Sequence, residues 1–249
     1  MKHVVANLFR VTALALLLIL LFRTEWLSFL LVPLTNNNAP AVYTQNSLPA
    51  LAAAHLYLVA ISIVGSAVLA ILGGVFVTRK SGEDFLPLSR AIANAGQTFP
   101  PVAVLALAVP ATGFGAGPTL IALFLYGLLP IFENTVSGLR QVPASMLEAA
   151  DGMGMSAMQR LFRVELPLAL PLILEGLKVA TVINIGTATI GSTVAAKGLG
   201  EVIIAGLISD NTAFILQGGL IVGLMAVLIY DALGIIESGI SRRIGLRPA

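Results

Sequence analysis

The chain of 249 residues has no cysteine, one tryptophan and two histidines, and only 10% of it is charged. Without cysteine there are no disulfides and no thiol chemistry, although this names no compartment. His3 and His55 stand far apart in sequence, leaving almost nothing for a metal site or His-based catalysis. The carboxylates form no paired motif, and no nucleophile stands with a base, so an enzyme is not expected. A Gly-x4-Gly-Lys-Ser/Thr loop is missing too, which leaves no recognisable cradle for the phosphates of ATP. The formal charge of +2 is too small to argue for nucleic acid as a partner.

What the chain has in quantity is apolar surface. It is 57% hydrophobic with a mean hydropathy of +0.97, whereas an average soluble domain carries roughly 25% charged residues. In a bilayer the backbone must satisfy its own hydrogen bonds, which leaves helix bundles and closed barrels. Long apolar runs without alternation select helices, with room for roughly five to seven spans of about 20 residues each. The predicted fold is all-α, a polytopic transmembrane bundle.

Lys2, His3 and Arg10 precede a first apolar run, Val11 to Phe22, of signal-peptide length. No small-x-small cleavage site follows, so it is read as a retained span with Trp26 at the interface. Leu27 to Leu34 is expected to dip into the interface before an exposed loop marked by Pro33, Asn36-Asn37-Asn38 and Pro40. The second span covers Leu48 to Val77, long enough for an interfacial turn or a strong tilt. The third covers Ala91 to Val109, with Gly96 and Pro100-Pro101 as irregularities. After a turn at Gly113 to Pro118, the fourth covers Thr119 to Gly138. The fifth covers Leu168 to about Ile190, Gly191 to Thr212 is a Gly-rich segment, and the sixth covers Ala213 to Ile236.

With these spans, Lys2, Arg10, Arg79, Lys80, Arg90, Arg140, Arg160, Arg163, Arg242, Arg243 and Arg247 fall on one side, and only Arg23 and Lys197 on the other. The positive-inside rule makes both termini cytoplasmic. It also puts there a polar island, EAADGMGMSAMQRLFRVELP, from Glu148 to Pro167. Ser145 and Glu148 stand at capping-box spacing, as do Ser156 and Gln159. Two short helices are predicted, turning at Gly152 to Gly154, with Ala149 and Ala150 giving a small-residue face. Leu166-Pro167 is expected to stop the second helix and Pro171 to reshape the start of the fifth span.

In the island, Glu148-Ala149-Ala150 is followed after three residues by Gly154, and after nine more by Val164-Glu165-Leu166-Pro167. This spacing resembles the EAA signature of ABC-importer permeases, the binding-protein-dependent transport family, departing only at Val164, where Ile is common. The resemblance covers about Leu48 to Ile240. It implies an importer-type permease in which Pro143, Glu148, Ala149, Ala150, Gly154, Val164, Leu166 and Pro167 form a cytoplasmic coupling helix and turn, docked against a separate ABC ATPase dimer. Glu148 would pair with that ATPase, and the two alanines would let it approach closely. ATP and Mg are then expected on the ATPase, with no cofactor or metal in this chain. A second permease copy or related subunit, an extracytoplasmic binding protein and the bilayer complete the expected partners. The implied location is a bacterial or archaeal plasma (inner) membrane. The layout is residues 1–47 as an extra span and loop, 48–240 as the permease domain with the EAA loop at 143–167, and 241–249 as a tail.

Leu123 to Ile131 (LFLYGLLPI), Asn134-Thr135, Gly138-Leu139, Gly152-Met153-Gly154-Met155 and Thr189-Ile190-Gly191 resemble the permeases of osmoprotectant importers, which carry glycine betaine, choline or carnitine. An ABC permease for another small solute such as an amino acid, a gradient-driven secondary transporter and a non-transporting scaffold are the other readings.

Glu175 and Lys178, three apart on one helix face, read as an ion pair near the cytosolic interface rather than a proton relay. Asn184, Thr187, Thr189, Ser192 and Thr193 either line a translocation path or make interhelical hydrogen bonds. Gly219 and Gly223 suggest close helix packing.

Overall fold

A computed structural model describes residues 2–36 and 39–243. Asn37, Asn38 and Arg247, named above, lie outside the described residues. Among the described residues every regular element is helical. In chain order they are α1 (Lys2–Phe22), α2 (Ser28–Leu31) between two 3-10 turns, α3 (Leu48–Val77), α4 (Leu86–Thr98), α5 (Pro101–Thr112) and α6 (Ala116–Arg140). They continue with α7 (Ala144–Gly152), α8 (Ala157–Arg160), α9 (Leu166–Thr187), α10 (Gly200–Ile208) and α11 (Thr212–Arg243).

Five segments are long and apolar enough to cross a membrane: Val4–Phe22, Leu48–Val77, Ala116–Arg140, Ala157–Val194 and Thr212–Arg242. The predicted first span begins earlier than expected, since the helix runs back past Arg10. The predicted second span is one uninterrupted helix, without an interfacial turn. The predicted third span is not a single helix: α4 and α5 meet at a bend of 96°. Pro100 takes an extended ψ of 138° and Phe99 one of 134°. Two consecutive prolines remove two N–H donors, and the residue before a proline avoids the α region, so the ladder cannot continue. The turn after α5 rests on Gly113 and Gly115, with φ of 76° and 108°.

Residues 63–99, 124–181 and 230–243 pack as one unit. Its core joins Ala70, Val77, Leu86, Ala93, Leu128, Ile131, Phe132, Val136 and Ala180, and a second cluster joins Leu139, Leu161, Ala169 and Ile173. Glycine lets backbones close on α6. A Cβ at Gly74 would lie 2.7 Å from Thr135, at Gly96 2.6 Å from the Leu125 carbonyl, and at Gly176 2.7 Å from the Pro130 carbonyl. Such contacts suit a membrane bundle, where packing rather than the hydrophobic effect brings helices together. The described residues of 2–36, 39–62, 100–123 and 182–229 form the other unit, with Leu51, Ile185, Leu199, Val202 and Ile221 fully buried. Gly219 and Gly223 do not pack closely within the chain: both are exposed and a Cβ at either meets nothing within 4 Å.

Candidate functional site

The island folds as a helix, a turn and a second helical run. Pro143, with ψ of 135°, holds the N-cap position of α7, and its carbonyl accepts from the Met146 N–H at 3.0 Å. The expected Ser145–Glu148 capping box is absent, because Ser145 is already inside the first turn and α7 has no side-chain cap. At the other end the Met153 N–H donates to the Ala149 carbonyl and the Met155 N–H to the Ala150 carbonyl, at 3.0 and 3.1 Å. This closure needs a left-handed residue, and Gly154 supplies it with φ of 74°. The predicted Ser156–Gln159 box is present. The Gln159 N–H donates to Ser156 Oγ at 3.3 Å and the Ser156 N–H to Gln159 Oε1 at 2.9 Å.

Leu166-Pro167 does not stop the second helix. From Arg160 the chain passes through a π-helical turn, Leu161–Glu165, straight into α9. The Leu166 N–H donates to the Leu161 carbonyl, five residues back. The wider turn shifts the ladder just where Pro167 lacks its donor, so the proline enters α9 as its second residue. Pro171 is likewise carried inside the helix.

On this frame Glu148 and Ala149 are exposed, whereas Ala150 is buried at 1% exposure. Met146, Met153, Met158 and Phe162 project large apolar groups outward from the same island. Val164, Leu166 and Pro167 are half-buried.

The residues that sequence reasoning missed are charged ones behind this face. Arg160 Nη1 donates to both oxygens of Asp151, at 2.7 and 2.8 Å, and its Nε donates to Glu165 Oε1 at 3.1 Å. Arg79 Nη2 donates to the other Glu165 oxygen at 2.5 Å, and Arg79 Nε to the Val75 carbonyl at 3.3 Å. The Glu165 side chain is only 6% exposed. The run Ala157–Val194 would be about 57 Å long as an α-helix, against a hydrocarbon core of about 30 Å. Its apolar part begins at Leu166, so Arg160 and Glu165 precede the span. Burial alone would raise the Glu165 carboxyl, but the Arg79 and Arg160 guanidiniums outweigh it and hold it below the usual carboxylate range. The hydrogen bonds that Arg160 donates to Asp151 and Glu165 hold it more firmly charged. Opposite signs within Asp151 to Glu165 were visible in the sequence, but Arg79 is 86 residues from Glu165 and only the fold brings it in.

Deeper in the same unit, Lys178 reaches Glu175, as its spacing predicts, and also Glu237 at 2.5 Å, with Tyr230 beneath it at 5.1 Å. Arg90 pairs with Glu133 through two hydrogen bonds of 2.5 and 2.9 Å.

In the other unit Asn184 is fully buried. Its Nδ2 donates to the Leu123 carbonyl at 2.9 Å, while its Oδ1 has no partner. Ser192 donates to the Ala196 carbonyl, and Thr189 and Thr193 each to a carbonyl three residues back. Thr187 is half-buried on the same helix. Two further polar groups prove to be buried, which nothing in their sequence surroundings marks. His55 Nε2 donates to the Ile185 carbonyl at 2.9 Å, leaving Nδ1 unpartnered, and Gln217 Oε1 accepts from the Tyr43 N–H at 3.0 Å. Among the described residues no three His, Cys, Asp or Glu side chains gather as metal ligands would.

Several membrane-length helices, interrupted by an exposed helix-turn-helix set directly before one of them, define a polytopic helical permease. The chain belongs to the family of binding-protein-dependent transport system inner membrane components, whose model matches residues 70–245. It is 41% identical over 175 residues to the osmoprotectant import permease protein OsmY of Salmonella typhimurium, covering 70% of this chain and 74% of that one. It is 40% identical over 184 residues to the carnitine transport permease protein OpuCD of Listeria monocytogenes, covering 74% and 82%. With the glycine betaine/carnitine/choline transport system permease protein OpuCB of Bacillus subtilis the identity is 36% over 184 residues, covering 74% and 83%. Among solved structures, an inward-facing MetNI methionine ABC transporter aligns with a TM-score of 0.69 at 24% identity. It covers 78% of this chain and 95% of that chain, a likeness that concerns the fold alone.

Proposed function

We propose that this chain is the permease subunit of an ATP-driven, binding-protein-dependent importer for osmoprotectants of the glycine betaine, choline or carnitine type. The observation that carries the coupling half of this reading is α7 with its Gly154 turn, an exposed helix joined by a backbone-closed turn to a second helical run, residues 157–165, that continues into the membrane-length α9. The substrate class is supported by the relatives, whose names include osmoprotectant, carnitine and choline permeases.

In this reading residues 48–240 form the permease domain and residues 143–167 face the cytoplasm, as do both termini. A separate ATPase dimer binds ATP and Mg, because this chain has no phosphate-binding loop. Glu148 pairs with that ATPase, the exposed Ala149 allows close approach while the buried Ala150 seats α7 on its own unit, and the exposed methionines and Phe162 supply adaptable apolar contact. Closure of the ATPase pushes α7, and the push passes through the Gly154 turn to α8, which runs without an intervening loop into α9 and tilts it. Asn184, Thr187, Thr189, Ser192 and Thr193 then lie along the path, where uncharged polar groups pass a zwitterion or cation without holding it. A second permease copy or related subunit completes the path, and an extracytoplasmic binding protein delivers the solute.

The test is reconstitution in proteoliposomes with the ATPase and binding protein, measuring uptake of labelled glycine betaine, choline and an amino acid. ATP-dependent uptake of the first two, lost in Glu148→Ala, is the expected result. Uptake of the amino acid alone would reassign the substrate. Uptake that survives without ATP but collapses with an ion gradient would overturn the coupling reading.

A further inference from the structure

Covalently, the island leads forward into α9 through α8 and the π turn, and back into α6 through residues 141–143. The charged groups behind it make a further connection. Asp151, in the last turn of α7, is held by both oxygens to Arg160. Arg160 holds one oxygen of Glu165, and Arg79 holds the other. Arg79 also donates to the Val75 carbonyl in the last turn of α3, where a cation complements the helix dipole. The four side chains therefore form an unbroken series from the end of α7 to the end of α3, with the buried Glu165 carboxylate as its hub.

The placement of the hub makes the series stiff. Glu165 ends the π turn, Leu161 from that turn is buried with Leu139, Ala169 and Ile173, and Val75 and Leu166 pack against the same cluster. In such surroundings a carboxylate cannot drop one guanidinium without a large penalty, so the pairs move together or not at all. Simple stabilisation does not account for the arrangement, because a buried ionic cluster adds little stability over apolar groups of the same volume.

We propose that Asp151, Arg160, Glu165 and Arg79 act as an ion-paired strut that transmits displacement of α7 to α3, so that one push on the island moves α3 and α9 in concert. These are positioning residues, and the inference rests on the permease reading above.

The chain lacks cysteine, so a single introduced thiol is a unique reporter. Nitroxide labels on Leu72→Cys in α3 and, separately, on Leu174→Cys in α9 are followed by EPR in the assembled importer as ATP is added. In Arg79→Met, which leaves Glu165 paired with Arg160, the ATP-dependent change on α3 is expected to fall about tenfold, as expected when one member of a coupled network is removed. The change on α9 persists, and more ATP is hydrolysed per solute imported. Arg79→Lys restores the charge and recovers part of the α3 response. Arg163→Met, an exposed arginine on the same turn, leaves both reporters unchanged.

If Arg79→Met keeps a full α3 response, or loses the α3 and α9 responses together, the strut is overturned while the permease reading stands. If neither reporter responds to ATP in the unaltered background, the permease reading is overturned and the strut with it.

Discussion

Gly154 separates a conformational requirement from a spatial one. It adopts φ of 74°, and a Cβ there would meet nothing within 4 Å. Gly152, two residues earlier, has the same open surroundings without the positive φ. Any side chain fits at either position, so steric crowding predicts no difference between them. The backbone does, since a left-handed conformation costs an ordinary L-residue about 1–2 kcal/mol, and asparagine less. A free island can relax this strain by unwinding the turn, so the cost falls on docking. Binding of the ATPase subunit to the permease in nanodiscs should weaken about five- to thirtyfold in Gly154→Ala, with Gly154→Asn intermediate. Gly152→Ala should be neutral or slightly favourable, since alanine is preferred to glycine in a helix by about 0.5–1 kcal/mol. Equal affinity for Gly154→Ala and the unaltered protein, or equal losses at both glycines, would refute the reasoning.

Four further outcomes follow from the packing and charges. Gly176→Ala would place its Cβ 2.7 Å from the Pro130 carbonyl and 2.8 Å from Asn134 Cβ; thermal unfolding in detergent should show a loss of about 1–3 kcal/mol, while Gly186→Ala, in open space, changes little. Lys178→Met leaves Glu175 and Glu237 without their shared cation and should lower the melting temperature more than Glu175→Gln does; the loss should stay below the ~3–5 kcal/mol of a fully buried pair, because both carboxylates are partly exposed. Asn184→Leu gives up the bond to the Leu123 carbonyl but also removes an unpartnered buried oxygen, so stability should change by less than about 1 kcal/mol; a larger fall in uptake than in melting temperature then marks a role in the path. Glu165 is depressed by its arginines, so its contribution to stability is complete above the ordinary carboxylate range and is lost only as pH falls through its lowered value. Melting temperature attributable to Glu165, obtained by difference from Glu165→Gln, should therefore be flat from about pH 8 to about pH 6 and shrink only in acid.

Much of the helical layout was legible because it depends on local chemistry. Leu48 to Val77 reads as one apolar run and forms one helix with those bounds. The island's turn and its Ser156–Gln159 cap follow from glycine and hydroxyl positions within a few residues. The failures come from competition between neighbouring local signals. Pro143 claims the N-cap of α7 by its own fixed φ, which moves Ser145 into the helix and deprives it of a capping role. As sequence, Pro100-Pro101 reads as an irregularity inside a span, but two missing donors and an extended preceding residue combine into a bend of 96°. The strut and the Lys178–Glu237 pair were out of reach for a different reason, because the partners come from distant helices and nothing in their spacing announces them.

Pro167 shows why the motif and the fold had to be read together. Taken alone, Leu-Pro after a short polar helix is a stop signal, since proline has no N–H and its ring collides with the carbonyl four residues back. A stop there would have put a second break between the island and α9, after the one at Gly154, and a push arriving through α8 would have been absorbed as bending. The π turn removes both objections, because it displaces that carbonyl and shifts the ladder to donors five residues apart. It also seats Glu165 at the last position of the turn, between two arginines. The residues that look like an interruption in the sequence therefore keep the helix continuous, and place beside that joint the charge that ties it to α3.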